Sequence, residues 1–388
     1  MPNFVEKFSR RVEDKTLWLS LTLRREADVG ERELQRLVED NWNPLPSPKR
    51  PPLNGNGSLN GHAPPSSGYG PDVERLPAFA VDGSVRRANL VNGAYLLVAQ
   101  ALCLGADGFE DSDVELEILR GTADRSTVER FADLLLKQLE IRMATQCLPV
   151  MPYGGVLFLD GALHGQLPQL YPLRLELDVD APEDLYDFPE LILGNYLYLF
   201  NQTRERKIRV VAVAKTSREA THCKLWQAEV GMDVPTTVPD SEMIHRWTGG
   251  MPGYSTPVIL GRRGFTGGSE ALLDDPRVAD APAFVSFFVR LAEGDDAMRI
   301  DIPAYCVECD DRLADLDAQV LDPRYDIAPI IRLLQADYGG FEVYNALLYG
   351  VDREVRLNRT MMSEVYLRLI AELTGCEVRL DRSDRRFA

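Results

Sequence analysis

Two short apolar runs of the sequence each end in an aspartate that is followed directly by a glycine. The first spans Ala78 to Gly83 and the second Val156 to Gly161. Each run is long enough for one buried strand, and a glycine lets the backbone turn sharply after the acid. Because ligands of an open α/β sheet bind outside the carboxyl ends of its strands, Asp82 and Asp160 are candidates to hold a divalent cation together. The alternative is that Asp-Gly only marks a turn after each strand.

The segments around these runs predict how the two aspartates meet. Three strands joined by short turns indicate an antiparallel meander, and an amphipathic helix with Asp124 as its N-cap follows. A right-handed crossover through that helix places the next strand parallel to the first. This order resembles the ribonuclease H-like α/β fold. The predicted elements are a strand ending at Asp82, strands at 94–103 and 114–120, the helix from 124 to about 145, and the strand 155–160.

The rest of the chain predicts appendages around this sheet. Residues 1–42 have helical periodicity and are interpreted as an N-terminal helical arm, whereas residues 43–72 are rich in Pro, Gly, Asn and Ser and predict a disordered linker. Residues 73–388 are predicted to form the main domain, and residues 227–280 give no clear pattern. Further predictions are a helix at 191–200, a strand at 207–214, a strand pair at 283–291 and 297–302, C-terminal helices at 329–336, 342–357 and 360–373, and a short strand at 377–380.

The charge and hydropathy of the chain bear on the classes of partner that it can have. The formal net charge is −17, whereas proteins that bind DNA non-specifically usually carry an excess of Lys and Arg. Part of the acidity is local, since six acids lie between residues 107 and 117. No stretch is long and apolar enough for a membrane span, and no signal peptide is visible, so we expect a cytoplasmic protein without membrane contact.

A third carboxylate is needed for a site that holds one or two hard cations. Glu140 lies near the end of the predicted crossover helix and is a candidate for this position. Glu115 and Glu117 on the third predicted strand are competing candidates. The alternative for Glu140 is an ordinary solvated helix residue.

A cluster of a cation and hydroxyl groups follows the strand predicted at 207–214. Lys215, Thr216, Ser217 and Arg218 are consecutive. Such a cluster can bind a phosphate, with Lys215 as a point charge and the hydroxyl groups as donors. The same residues can equally cap the next helix, and the spacing does not separate the two interpretations.

Taken together, these residues resemble the NurA nucleases, which are 5′ to 3′ DNA nucleases that act with the HerA translocase. The resemblance covers about residues 76–375 and includes the two Asp-Gly motifs, the strand that leads into Lys215, and the C-terminal helix. The family's last motif reads roughly Tyr-Pro-x-Pro-Leu followed by Ala-His. Here Tyr344 keeps the tyrosine and Asp352 stands at the histidine position. The missing prolines, and Ala162 in place of a serine, mark a divergent member.

The resemblance implies a site and partners. The implied metal ligands are Asp82, Glu140, Asp160 and Asp352, with Tyr344 near the scissile phosphate, and Mn²⁺ or Mg²⁺ is the implied cofactor. The family also implies a homodimer that works on DNA ends with a HerA-like hexameric ATPase. The expected function is therefore metal-dependent hydrolysis of DNA during end resection and double-strand break repair.

Two other functions remain open at this point. The charge of −17 and the Asp at the histidine position favour a catalytically weak adaptor subunit of a DNA translocase. A phosphotransferase of the actin-like class also contains Asp-Gly phosphate loops, but it would need an adenine site, for which the sequence has no signature.

Overall fold

The computed structural model describes residues 8–9, 11–13, 15, 31–46, 76–120, 125–175, 183–234, 238–340, 343–376 and 378–382. The helices in these ranges are α1 (Glu31–Asp40), α2 (Arg125–Cys147), α3 (Glu183–Tyr186), α4 (Phe188–Glu205), α5 (His222–Glu229), α6 (Asp240–Trp247), α7 (Ala328–Ala336), α8 (Ala346–Val355) and α9 (Leu367–Thr374). The strands are β1 (Trp42–Pro44), β2 (Ala78–Asn89), β3 (Tyr95–Gly105), β4 (Glu110–Leu119), β5 (Val156–Asp160), β6 (Arg209–Ala214), β7 (Gly253–Ser255), β8 (Val258–Leu260), β9 (Phe284–Arg290), β10 (Met298–Pro303) and β11 (Ala318–Val320). None of the described helices is both long and apolar enough to cross a membrane.

The strands form one mixed sheet with the main order β1-β7-β9-β10-β6-β5-β2-β3-β4, and β8 pairs with β9 and β11 beside this path. Strands β2, β3 and β4 are an antiparallel meander. Helix α2 then crosses over to β5, which pairs parallel with β2 on one side and with β6 on the other. The predicted mixed α/β sheet, with a meander, a crossover helix and parallel strands, is confirmed.

Helices cover both faces of the sheet. One buried cluster packs side chains of α2 and α4, such as Phe131 and Tyr196, against residues such as Val81 and Leu159 on β2 and β5. A second cluster joins the opposite face of the same strands to α7 and α8. Burial on both faces explains why β5 and β6 are continuously apolar rather than alternating. The site therefore lies between two helical layers.

The predicted end of the first strand at Asp82 is wrong. Strand β2 continues through Gly83 and stays paired with β3 as far as Asn89. Its pairing with β5, in contrast, ends at Val81. Gly83 is needed because a β-carbon there would lie 2.6 Å from Leu136 Cδ1 and 3.0 Å from Glu140 Cγ on α2, so the glycine permits a close approach rather than a turn. Gly161 does form the predicted turn, with φ of 92°.

Most of the other predicted elements are confirmed. The crossover helix is α2, although its predicted N-cap, Asp124, lies outside the described residues. The strand pair predicted at 283–302 is β9 and β10. The last long helix is α-helical only from Leu367, because Met361–Tyr366 form a π-helix. The strand predicted at 377–380 is reduced to an isolated bridge between Leu380 and Leu90, and residue 377 lies outside the described ranges.

The end of the predicted N-terminal arm packs on the domain. Helix α1 and Trp42 share a buried cluster with Trp226 of α5 and Ile244 of α6, and β1 pairs with β7. Residues 47–75, which include most of the predicted linker, lie outside the described residues. The proposed domain boundaries stay predictions.

Candidate active site

Asp82 and Asp160 lie side by side on neighbouring parallel strands. Val81 of β2 is in register with Leu159 of β5, so the next residue on each strand is an aspartate at the same level. Side chains alternate along a strand. Both aspartates therefore lie on the face of Ala80 and Phe158, which belong to the cluster covered by α8. The two Asp-Gly motifs thus bring their acids together as predicted.

Asp82 is the more deeply buried of the two acids. Only 5% of its surface is exposed, and one carboxylate oxygen accepts a hydrogen bond of 2.7 Å from the Gly83 amide. Burial, and then the negative charges of Asp160 and Glu140, raise the pKa of Asp82 to about 7. A raised pKa with these causes is typical of carboxylates that share one site.

Glu140 reaches this site from α2. Its side chain passes over Gly83, where the absence of a β-carbon leaves room for it. It accepts a hydrogen bond of 2.7 Å from the ammonium of Lys137, one turn earlier on the same helix. Burial opposes the charge of Lys137, but the Glu140 carboxylate outweighs this effect and the pKa of Lys137 is raised.

Lys137 was not among the predicted site residues. The spacing of three residues between Lys137 and Glu140 is the only signal in the sequence, and it is also the spacing of ordinary ion pairs on helix surfaces. This pair differs from a surface ion pair because both side chains are largely buried, with 17% and 11% exposed, on the helix that packs against Tyr196 of α4. Burial raises the pKa of Tyr196 to about 12, with opposing contributions from Lys137 and Glu140.

Lys215, at the end of β6, joins the acids from the other side. Its ammonium lies 3.7 Å from a carboxylate oxygen of Asp160 and 4.9 Å from the ring centre of Tyr344. The pKa of Asp160 is nevertheless raised, because burial and the charges of Glu140 and Asp352 outweigh the two lysines. The lysine predicted to bind phosphate therefore lies against Asp160, one of the two aspartates.

Tyr344 and Asp352 complete the group from the α8 side. The Tyr344 hydroxyl is buried and has no hydrogen-bond partner among the described residues. Its pKa is raised by burial and by the charges of Asp160, Asp82 and Asp352. Asp352 lies on α8 and accepts a hydrogen bond of 2.8 Å from Arg356 on the next turn. The structure thus brings together Asp82, Glu140, Asp160, Lys215, Tyr344 and Asp352.

The remaining candidates lie apart from this group. Ser217 accepts a hydrogen bond from the Glu219 amide and, through its carbonyl, one from Ser241. Arg218 is exposed. Glu115 on β4 is bound by Arg142 of α2. Glu115 and Glu117 lie level with Val85 and Arg87 of β2 rather than with Asp82. Glu140 approaches from the α2 face at Gly83, and its charge, unlike that of Glu115 or Glu117, is among the causes that raise the pKa of both aspartates.

The donor chemistry of the group suits a hard cation, since it consists of carboxylate oxygens close enough together to raise the pKa of Asp82 and of Asp160. As the side chains stand, no three His, Cys, Asp or Glu residues in the described part of the chain form a ready metal site. Lys137 and Lys215 are inserted among the acids instead. A cation would fit only after Lys137 and Lys215 give up their contacts with Glu140 and Asp160.

A buried ionic network fixes the two loops that follow β5 and β6. Arg299 and Asp301 lie on β10 and form hydrogen bonds of 2.8 and 3.1 Å with each other. Asp301 also accepts the Leu163 amide after the Asp160 turn, and Arg299 forms an ion pair with Glu219 after Lys215. The only sequence signal is two opposite charges at alternate positions of a short apolar strand.

The sequence model of the NurA domain family matches residues 77–344, which are more than two thirds of the chain. The chain belongs to the NurA family. The NurA match contains Asp82, Glu140 and Asp160 and ends at Tyr344, so Asp352 lies beyond it.

Two solved NurA structures share the fold of this family member. The NurA nuclease from Sulfolobus solfataricus is 16% identical, with 94% of this chain and 98% of that chain covered and a TM-score of 0.57. A second NurA structure is 15% identical, with 95% and 97% covered and a TM-score of 0.55. No curated protein matches the chain. At these identities the likeness shows the fold, and the activity has to be argued from the site.

Proposed function

We propose that this NurA protein is a metal-dependent DNA nuclease that hydrolyses phosphodiester bonds, as a 5′ to 3′ exonuclease, a single-strand endonuclease or both. The observation that carries the proposal is the position of Asp82 and Asp160 at one level of two adjacent parallel strands. The family membership agrees with it, since the Sulfolobus relative is described as a nuclease.

Asp82, Asp160 and Glu140 would hold Mn²⁺ or Mg²⁺, with Asp352 as a fourth ligand. Such an ion supplies an activated water and stabilises the leaving oxygen of a phosphodiester. An aspartate is acceptable where the family has a histidine, because carboxylates suit both ions. Binding would require Glu140 to exchange its contact with Lys137 for the ion, which leaves the ammonium available to another anion.

The other residues of the site suit a phosphodiester. Lys215 lies between Asp160 and the Tyr344 ring and can approach a phosphate oxygen as a point charge. The Tyr344 hydroxyl is buried without a partner in the described ranges, and its raised pKa keeps it protonated as a donor to the same phosphate. Lys215 and Tyr344 would therefore orient the phosphate against the carboxylates.

The partners and setting are proposed from the family alone. We infer that the protein acts at DNA ends as a homodimer with a HerA-like hexameric translocase, in the end resection that precedes double-strand break repair. The cytoplasm is the expected compartment.

A nuclease assay tests the proposal. We expect end-labelled linear DNA to be digested with Mn²⁺, with and without the translocase, and Asp82→Ala to abolish digestion. Asp310→Ala is a matched control, because Asp310 is an exposed aspartate that pairs with Arg204 on the surface. If Asp82→Ala digests DNA like the parent protein, the site is assigned wrongly.

A second candidate is a catalytically weak adaptor subunit of a translocase. The observation that favours it is the pair of lysines inserted among the acids, which neutralises them without a metal. An adaptor would bind the translocase and leave DNA intact under every metal condition, whereas a nuclease would digest it.

A further inference from the structure

The edge of β2 beyond Asp82 has no neighbouring strand among the described residues. Pairing with β5 ends at Val81, whereas β2 continues to Asn89. Asp82, Ser84 and Arg86 follow one another along one face of this edge. At about 3.3 Å per residue, Arg86 lies roughly 13 Å from Asp82 along the strand. Leu357, after α8, donates its amide to Ser84 and accepts a hydrogen bond from Arg86, so it covers part of this face. The edge that β5 leaves unpaired therefore runs from the carboxylates to a second region of the molecule.

That region is a cavity of about 430 Å³ between β2, α2 and the segment that contains the π-helix. Three guanidinium groups line it, from Arg86, Arg87 and Arg359. Arg86 uses one nitrogen to bind the Leu357 carbonyl at 3.3 Å, and Arg87 lies 3.8 Å from Glu129. These contacts hold the guanidinium groups of Arg86 and Arg87 at the cavity, and planar guanidinium groups are suited to a phosphate.

The rest of the lining is suited to a base. Val85, Ala132 and Met362 provide apolar surface, and Glu129 and Asp133 provide carboxylate acceptors for exocyclic amino groups. A wholly phosphate-binding surface would not contain these acids. A mixture of apolar, acidic and guanidinium groups matches a nucleotide, which carries a flat base and a phosphate together.

We propose that this cavity, lined by Arg86, Arg87, Arg359 and Ser363, binds one nucleotide of the DNA strand close to the bond that is cleaved. The proposal rests on the proposed function, because it takes the strand to run along the open edge of β2 from Asp82. It adds a binding site for a base and its phosphate outside the carboxylate group.

The test uses fluorescence anisotropy with labelled oligodeoxycytidylate, whose bases carry an exocyclic amino group, and a series of the same oligonucleotide in which one abasic position is moved along the strand. Binding is measured in an Asp82→Asn background, so that the DNA stays intact. Ser363→Tyr fills the cavity from the π-helix, and Arg87→Ala removes one guanidinium group. Arg368→Ala is the control, since this exposed arginine on α9 pairs with Glu372 away from the cavity.

We expect one abasic position to weaken binding about tenfold, the size of one base or phosphate contact. Ser363→Tyr should weaken binding of the unmodified strand by a similar factor and make that abasic position silent. Arg87→Ala provides the same comparison if Ser363→Tyr does not fold, as judged from its melting temperature. Arg368→Ala should bind like the background protein.

The cavity proposal is overturned if the background protein does not bind the strand, or if the abasic effect persists in both cavity variants. Digestion of DNA by protein with an intact Asp82 is measured separately. If the protein digests DNA but the cavity variants do not change the effect of the abasic position on binding, the cavity proposal alone is rejected. A lack of digestion would reject the nuclease function.

Discussion

The surroundings of the Asp82 carboxyl group oppose its ionisation. It is buried, and the nearby charges of Asp160 and Glu140 add to the cost of a second and third negative charge. The Gly83 amide and Lys215 offset only part of this cost. A cation would remove the repulsion, so a raised pKa of Asp82 in the metal-free protein is what the proposed metal site leads us to expect.

The stability of the metal-free protein should therefore depend on the charge of Asp82. Its pKa is about 7 in the folded protein and 3.8 without these neighbours, so between these values the folded state keeps a proton that the unfolded state loses. This contribution to the free energy of unfolding is present at low pH and is lost as the pH rises through 7. Asp82→Asn should stabilise the metal-free protein at pH 8, by an amount on the order of a few kcal/mol, and much less at pH 5.

Urea unfolding in the presence of a chelator, at both pH values, measures this effect. Asp310→Asn, on the exposed surface, should show no comparable pH-dependent gain. An Asp82→Asn variant less stable than the parent protein at pH 8 would mean that the carboxylates do not repel each other.

The aspartates could be predicted from the sequence because each one follows an apolar run and precedes a glycine. Lys137 could not, since its pairing with Glu140 looks the same on an exposed helix face as in a buried one. Only the packing of α2 against α4 decides which of the two applies.

Strand β2 shows why element boundaries are harder to predict than element types. Glycine usually favours the end of a strand, but here β3 is long enough to pair with β2 through Gly83 to Asn89. The sequence does not reveal that α2 crosses at this point and requires a residue without a side chain. The order of strand, meander and crossover helix was predictable, because hydrophobic periodicity and handedness depend on many residues rather than on one.

The network on β10 is the structural support of the loops that carry Gly161 and Lys215. Replacing Arg299 by Met leaves Asp301 buried without its main partner, and breaking a buried pair in this way costs about 3–5 kcal/mol. We expect Arg299→Met to lower the free energy of unfolding by this amount, as measured by urea unfolding. The additional change Asp301→Asn removes the unpaired charge and should recover part of the loss. A double variant no more stable than Arg299→Met would contradict this description.

The whole molecule carries a charge of −17, yet five of its basic residues lie along the proposed path of DNA. Lys137 and Lys215 lie among the acids, and three arginines line the cavity beside β2. Acids concentrate elsewhere, for example on the edge strand β4. A local basic surface can attract DNA although the net charge is negative. Net charge alone therefore does not argue against DNA as the proposed partner, because it contains no information on position.

The most direct test of the metal site is titration of Mn²⁺ into the metal-free protein, followed by calorimetry. We expect binding by the parent protein and by Asp310→Asn, and loss of binding in Asp82→Asn and in Asp160→Asn. Absence of binding by the parent protein, or unchanged binding by both site variants, would contradict the claim that the acids of β2 and β5 hold a common cation.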